Sequence, residues 1–426
     1  MSAELDNQPT EQVDNEAQEE IEVQDDTETQ AATETQPVAE AHPNITAEDF
    51  KKFGNPLQII DELRKLNDIG HEEIFDRNLD KIYHHTKDSF ESMNQNILYD
   101  MVEALTYTFH ANYVNLEGHL SPDKLHPDRS PNFSGGIYSK TEWLLKLMIE
   151  YFLNPRLRFA DLHILNSFTT GSITTDWICR SFMWFLAFIN FYNHYIDAGL
   201  VTKNIRSDFK TKYHRYYKRR LPSLNPRIEI IIKGGIRKID IEKELPVYAL
   251  GALLYDVGKI LHVNYYDNNA PYDEEKEKLH ALAGFNLLAK TKQYSFPVLA
   301  MAAFHHEYYG GKRSYNFTNS LIAKLFHRER NDASILNYIS FEARDFIDGS
   351  SFAFCPPKFM EIVDLYTELI TKGKLTTAEA LTTMKREYIA YSLQIDPILF
   401  EIFSEFMCKC ELLDDAEKTQ IDGIIY

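Results

Sequence analysis

Several things are scarce in this 426-residue chain. It has four cysteines, Cys179, Cys355, Cys408 and Cys410, whose spacing fits neither a disulfide framework nor a four-cysteine zinc site. The "CKC" at 408–410 lies inside an apolar helical pattern and reads as core rather than as a redox pair. No apolar run is long enough to span a bilayer: the strongest, "FMWFLAFINFY" at 182–192, falls short of the roughly 18 to 20 residues a span needs and reads as a buried helix. The start, "MSAELDNQPT", has no basic region and no apolar stretch that would direct export, so a cytoplasmic protein is expected. No alternation of apolar and polar residues argues for a sheet, and no internal repeat is visible. Lysine and arginine are absent from the first 43 residues.

That last absence is matched by an excess. The first 43 residues carry 13 acidic groups, so the net charge of −19 falls to −6 for the rest of the chain. Such a stretch buries too little apolar surface to offset its ordering entropy, and we expect 1–43 to be a disordered acidic tail. The remainder is 44–426, rich in Tyr and Phe (25 and 27 in the whole chain), long enough for more than one domain.

Helical spacing dominates the chain beyond residue 44. "NILYDMVEALTYTF" places Ile97, Leu98, Val102 and Leu105 on one face. "LPVYALGALLYDVGKI" is apolar nearly all round, "EEKEKLHALAGFNLLAKT" is amphipathic, and "PPKFMEIVDLYTELITKGK" has proline at its start and glycine after its end. The expected class is all-α. Boundaries are expected at 44–200 for a helical N-terminal domain, 201–246 for a basic connecting segment, 247–412 for a second helical domain and 413–426 for a C-terminal tail. "LSPDKLHPDRSPNFSGG" at 120–136 reads as a loop. His84 and His85, adjacent in "YHHTKDSF", have no accompanying buried carboxylates and read as surface residues.

From 203 to 238 twelve cations face only Asp208 and Glu229. Within it "KTKYHRYYKRR" interleaves aromatic and cationic side chains, the composition that stacking on bases and neutralising phosphates requires. A solvated helix face, or a partner for the acidic tail, explains the charge equally well. Arg215 and Lys218 are the cations here that a phosphate ligand would use.

The chemistry-bearing residues lie further on. Asp256 ends an apolar helix and Asp364 sits between Val363 and Leu365, so each is a carboxylate that burial would penalise unless a cation met it. His280, His305 and His306 are the candidates to share that cation. Two carboxylates and three histidines from four consecutive helices are mixed oxygen and nitrogen donors of the kind that suit iron, manganese or zinc. A bound ion would compensate the buried charge and acidify its water.

In order and spacing, "ALLYDVGKI", "HALAG", "AAFHHEYYGG", "IVDLYTEL", "LTTAEAL" and "IDPILFEIF" resemble the HD-GYP family of HD-domain metal-dependent phosphohydrolases over about 220 to 412. The resemblance implies an all-helical domain with two or three metal ions, usually iron or manganese, that hydrolyses cyclic di-GMP in bacterial signalling. It implies that Asp256 bridges metals, that His280, His305 and His306 complete one site, that Asp364 serves another, and that Lys259 approaches a substrate phosphate. Arg313, in the loop after the histidines, would join Arg215 and Lys218 as a substrate-binding cation. Three departures accompany it. Tyr255 stands where the family has the histidine of its "HD" pair; "GGKRSY" from Gly310 to Tyr315 replaces "DGxGYP"; and "ITKGKLT" replaces an arginine-rich turn. His194 and His214 are the upstream histidines available to the first site. The expectation is therefore a degenerate member with one or two divalent ions, acting on or sensing cyclic di-GMP or a related nucleotide. The alternative is an inactive pseudoenzyme that binds nucleotide or signalling proteins. Nucleic-acid binding through 203–238 ranks third.

Overall fold

A computed structural model describes residues 61–63, 72–92, 97–118, 134–168, 172–220, 236–261, 274–307 and 355–425. The acidic tail, the "GGKRSY" segment and Arg313 lie outside the described residues. Among those described there is helix and no strand, so the chain is all-α. Residues Asn44–Tyr426 form one compact unit.

The helices that matter are α1 (Glu72–Ser92), α2 (Ile97–Gly118), α3 (Ser134–Phe152), α4 (Ile173–Asp197), α5 (His214–Arg220), α6 (Leu245–Leu254), α7 (Glu274–Thr291), α8 (Phe296–Phe304), α9 (Cys355–Thr371), α10 (Thr377–Thr383), α11 (Pro397–Lys409) and α12 (Asp415–Asp422). Their starts follow from local chemistry. Asp396 caps α11 by accepting from Leu399 N at 2.8 Å, ahead of a proline at the first turn. Thr376 with Glu379, and Asp414 with Glu417, form reciprocal capping boxes at α10 and α12. α3 begins at Ser134, inside the expected 120–136 loop, since Gly135 and Gly136 fall in its first turn, where backbone N–H groups need no helical partner.

α4 is the spine. Nearly every residue from Thr174 to Ile189 is buried, and α9 and α6 pack on it. Its apolar stretch 182–192 is a buried helix, and no helix among the described residues is long and apolar enough to cross a membrane. Phe188 sets the register between α4 and the C-terminal helices, its ring 5.1 Å from Phe359 and 4.9 Å from Phe403. Polar clasps add direction: the Arg180 guanidinium donates to Leu165 O at 2.7 Å, Phe168 O at 2.8 Å and Thr371 Oγ1 at 2.5 Å, tying the 3₁₀ turn Phe159–Asn166 to the end of α9. Asn166 completes this with a 2.8 Å bond to Tyr366 Oη.

In the basic segment the helix-face reading describes what the described residues do. Tyr213, Tyr216 and Tyr217 are all buried, and the last two donate to Ile395 O at 2.5 Å and Asp396 Oδ2 at 2.6 Å. Arg215, Lys218 and Arg219 are exposed. The interleaving of aromatics and cations is thus an amphipathic helix with its tyrosines in the core, which leaves none of these three rings to stack on a base. His84 and His85 are exposed on α1, and Cys179 and Cys410 are buried free thiols.

Candidate metal centre

Four consecutive pieces of chain bring the expected ligands together. α6 runs into a tight turn carrying Tyr255 and Asp256, followed by the 3₁₀ stretch Val257–Leu261. That turn lies directly on α7 because Gly258 has no side chain: a Cβ there would stand 1.8 Å from His280 O and 2.5 Å from Gly284 N. Backbone meets backbone, and His280 is thereby set against Asp256. α8 delivers His305 and His306 at its C-terminal end, and packs on α6, α7 and α9.

His280, His305 and His306 are buried and offer ligand atoms that all lie within 4.8 Å of one another. The rings of His305 and His306 are 4.2 Å apart, and each is 5.2 Å from His280. Asp256 Oδ1 lies 3.2 Å from His280 Nε2 and 3.5 Å from His305 Nε2.

The tautomers follow from the far side of the rings. His305 Nδ1 donates to Met301 O at 2.9 Å and Ala302 O at 3.1 Å, and His280 Nδ1 donates to Glu277 O. With Nδ1–H so committed, both rings turn Nε2 inward, and those two nitrogens are 3.1 Å apart. Burial, with the Lys259 charge next, pushes His280 down to about 4, so it is neutral at physiological pH. Burial and the two neighbouring imidazoles hold His306 well below its ordinary value. Burial would raise Asp256, but the Lys259 ammonium 2.9 Å away leads the interactions that outweigh it and hold the carboxyl well below its ordinary range. Lone pairs and a carboxylate converging on one point repel unless a cation sits among them. A proton would satisfy the His280–His305 pair alone; an ion among the three imidazoles would engage His306 as well. Backbone carbonyls behind ligating imidazoles are also the usual orienting partners of metal-binding histidines. The three histidines could therefore hold a single ion through nitrogen, with Asp256 Oδ1 beside two of them.

Asp364 and Tyr255 form a separate pair beside this group. The Tyr255 hydroxyl donates to Asp364 Oδ1 at 2.7 Å, and Trp177 Nε1 donates to the same oxygen at 2.9 Å. Tyr255 packs its ring edge-on to His305, 4.9 Å between centroids. Burial, then the Asp364 charge, raises the phenol well above its ordinary value, so it remains a donor. Asp364 itself is pushed up to about 6 by burial and by Asp256. Its Oδ2 is buried without a hydrogen-bond partner.

Lys259 is buried at the centre, 2.9 Å from Asp256 Oδ2 and 3.3 Å from Glu277 Oε1. Arg215 and Lys218 are exposed on α5. His194 is exposed, its ring 6.3 Å from Phe159, and His214 lies against Phe209; neither belongs to the histidine group. Sequence reasoning missed Glu277, although it stands one helical turn before His280. It also missed Trp177 and Lys372, whose ammonium lies 3.7 Å from the Trp177 ring centroid.

The class these features define is an all-α protein with a buried cluster of three histidines beside a carboxylate. Comparison with protein-family models, with curated proteins and with solved structures finds no match to this chain.

Proposed function

We propose that this chain binds a divalent metal ion through Asp256, His280, His305 and His306, and that it is a phosphohydrolase-like protein acting on or sensing a nucleotide phosphodiester. The observation that carries the metal reading is the cluster of three buried histidines, with the Nε2 atoms of His280 and His305 3.1 Å apart and Asp256 Oδ1 beside both. The substrate class rests on the resemblance to the HD-GYP family, which makes cyclic di-GMP the first ligand to test and iron or manganese the first ions. An ion held there would polarise a phosphoryl oxygen and lower the pKa of water. The protein's own part is to keep the site dry, to hold Asp256 ionised through Lys259, and to fix both imidazoles by their Nδ1–H bonds.

A second reading, binding without turnover, is favoured by one observation. Tyr255 donates to Asp364, so the position that would supply a second imidazole instead ties up an oxygen of the second carboxylate. A binuclear centre then lacks a ligand, and hydrolysis loses the ion that would share the phosphate charge.

Metal content of the purified protein and turnover of cyclic di-GMP, with iron or manganese supplied under reducing conditions, separate these. Turnover that disappears in chelator supports the enzyme. Metal uptake without turnover, with activity appearing in Tyr255→His, supports the binder. Failure to take up either ion overturns both.

A further inference from the structure

On several surface helices and turns a cation has an acid three or four residues away: Lys87 with Glu91, Arg158 with Asp161, Lys418 with Asp422. Along 201–220 that pairing stops. Lys203, Arg206, Lys210, Arg215, Lys218 and Arg219 are all exposed, and none makes an ion pair among the described residues. Asp208 is the one acid in the stretch, and it accepts from the neighbouring Ser207 hydroxyl at 2.9 Å. Lys212 is already spent, 3.1 Å from Glu401 on α11. Six like charges held together repel, a cost that a partner of opposite sign removes.

The cations share one side because the coil repeats every four residues. Val201, Ile205, Phe209, Tyr213 and Tyr217 form the buried column. In a plain α-helix such a column would drift by about 40° per repeat. The two π stretches, Val201–Arg206 and Phe209–Tyr213, widen the coil and keep it in phase as far as α5. Arg206, Lys210, His214 and Lys218 each follow a buried residue, and Lys203, Ser207, Thr211, Arg215 and Arg219 stand one position later. These two outward columns hold no acid and no apolar side chain. Ser207 and Thr211 bond back to Lys203 O at 2.8 Å and Asp208 O at 3.0 Å, which leaves the cations outermost. Tyr216 and Tyr217 anchor the strip on Ile395 and Asp396, and Asn204 Nδ2 donates to Tyr195 Oη at 3.2 Å, so its backbone is ordered before any partner arrives.

We propose that this strip is a sequence-independent docking surface for the phosphate backbone of double-stranded DNA. A membrane surface is held by cations flanking apolar side chains that insert, and a folded protein partner by apolar contact at the centre of the interface; the outward columns offer neither. A single strand is held by stacking, and Tyr213, Tyr216 and Tyr217 are in the core. The six cations are donors without acceptor atoms, so they do not select the 2′-hydroxyl that marks RNA. A duplex bound through charge alone needs a row of cations and little else. The strip shares no residue with the histidine centre and is independent of what that centre does.

The test is anisotropy titration of the full chain into short labelled duplexes of two unrelated sequences, in chelator so that no metal bridges to phosphate. With all six cations on phosphates, log K falls against log salt with a slope of about −5, or about a thousandfold between roughly 50 and 200 mM. The triple variant Arg215→Gln, Lys218→Gln, Arg219→Gln should flatten the slope to about −3 and weaken binding about tenfold or more at the lower salt. Lys203→Gln, Arg206→Gln, Lys210→Gln should do the same from the other end. As a control, Lys81→Gln, Lys146→Gln, Lys290→Gln removes as many exposed cations outside the strip and should leave the slope unchanged. Circular dichroism confirms the fold of each variant. Both DNA sequences should bind alike. No binding at the lower salt, or equal weakening in the strip variants and the control, overturns the docking surface. Tighter binding of an RNA duplex, of polyglutamate or of phosphatidylserine vesicles, lost in the same strip variants, overturns DNA as the partner.

Discussion

Replacing His280 by alanine is the most direct test of the centre. In the intact site three imidazoles and Asp256 converge, and an ion that binds the folded chain but not the unfolded one stabilises it by RT ln(1 + [L]/Kd). At a free metal concentration one hundred times Kd that is about 2.7 kcal/mol. Spread over an unfolding entropy of about 2.1 cal/mol/K per residue for Asn44–Tyr426, it raises Tm by about 3 °C. Changes to groups that merely orient a ligand lower metal affinity ten- to a hundredfold, so loss of a ligand itself should cost about a hundredfold or more. At the same metal concentration the variant then sits near its own Kd, gains about 0.4 kcal/mol, and shifts by less than about 1 °C. The assay is thermal unfolding in chelator and in manganese or ferrous iron, with metal content measured on the same samples. His110 is the matched control: it is as buried as His280 but bonds Thr106 O from α2 and is absent from the histidine group. His110→Ala should keep the metal-dependent shift. A wild type whose Tm ignores metal, or a His280→Ala variant that keeps the full shift, would refute the reasoning.

Three further outcomes are expected. Gly258→Ala drives a Cβ into His280 O and Gly284 N, so backbone must move; a loss of about 3 kcal/mol in denaturant unfolding is expected, and a change under about 0.5 kcal/mol would contradict the close approach. Tyr255→Phe removes one of two donors from Asp364 Oδ1. Because Asp364 has its pKa raised to about 6, its charged form is the costly one and is present above that pH, so the variant should lose about 1 to 3 kcal/mol in chelator at pH 7.5 and much less at pH 5. His110, pushed down to about 4 by burial, stays neutral while its unfolded counterpart protonates below pH 6.5; the stability it confers at neutral pH is lost on acidification through that window, by about 3 kcal/mol, and the pH slope between 6.5 and 4 should flatten by that amount in His110→Gln.

How much of this was legible depended on sequence distance. Asp256, His280, His305 and His306 could be grouped because the order and spacing of the segments that carry them resemble a known family, and consecutive helices tend to be neighbours. The all-α class followed from the same periodicity. Trp177 could not be foreseen at the centre, because it reaches Asp364 across 187 positions and nothing in "TTDWICR" points there. Lys372 read only as part of a changed turn. The tyrosines of "KYHRYYKRR" left the choice open for a definite reason: interleaving along the chain is also what a helix with an aromatic face and a cationic face looks like, and composition does not say which face meets water. The role of Tyr255 lay in between. Its phenol was legible as a poor ligand, but only the fold shows whose oxygen it holds.

The indole of Trp177 sits on α4, in the first half of the chain, while the carboxylate it holds and the lysines it carries come from the second. A fragment cut at residue 247 would retain every metal donor named above and still be a different site. Asp364 would keep only its phenol, both ammonium groups would lose their ring, and solvent would enter where α4 now stands. The centre is thus joint property of both halves, and expressing the histidine-bearing part alone tests another molecule.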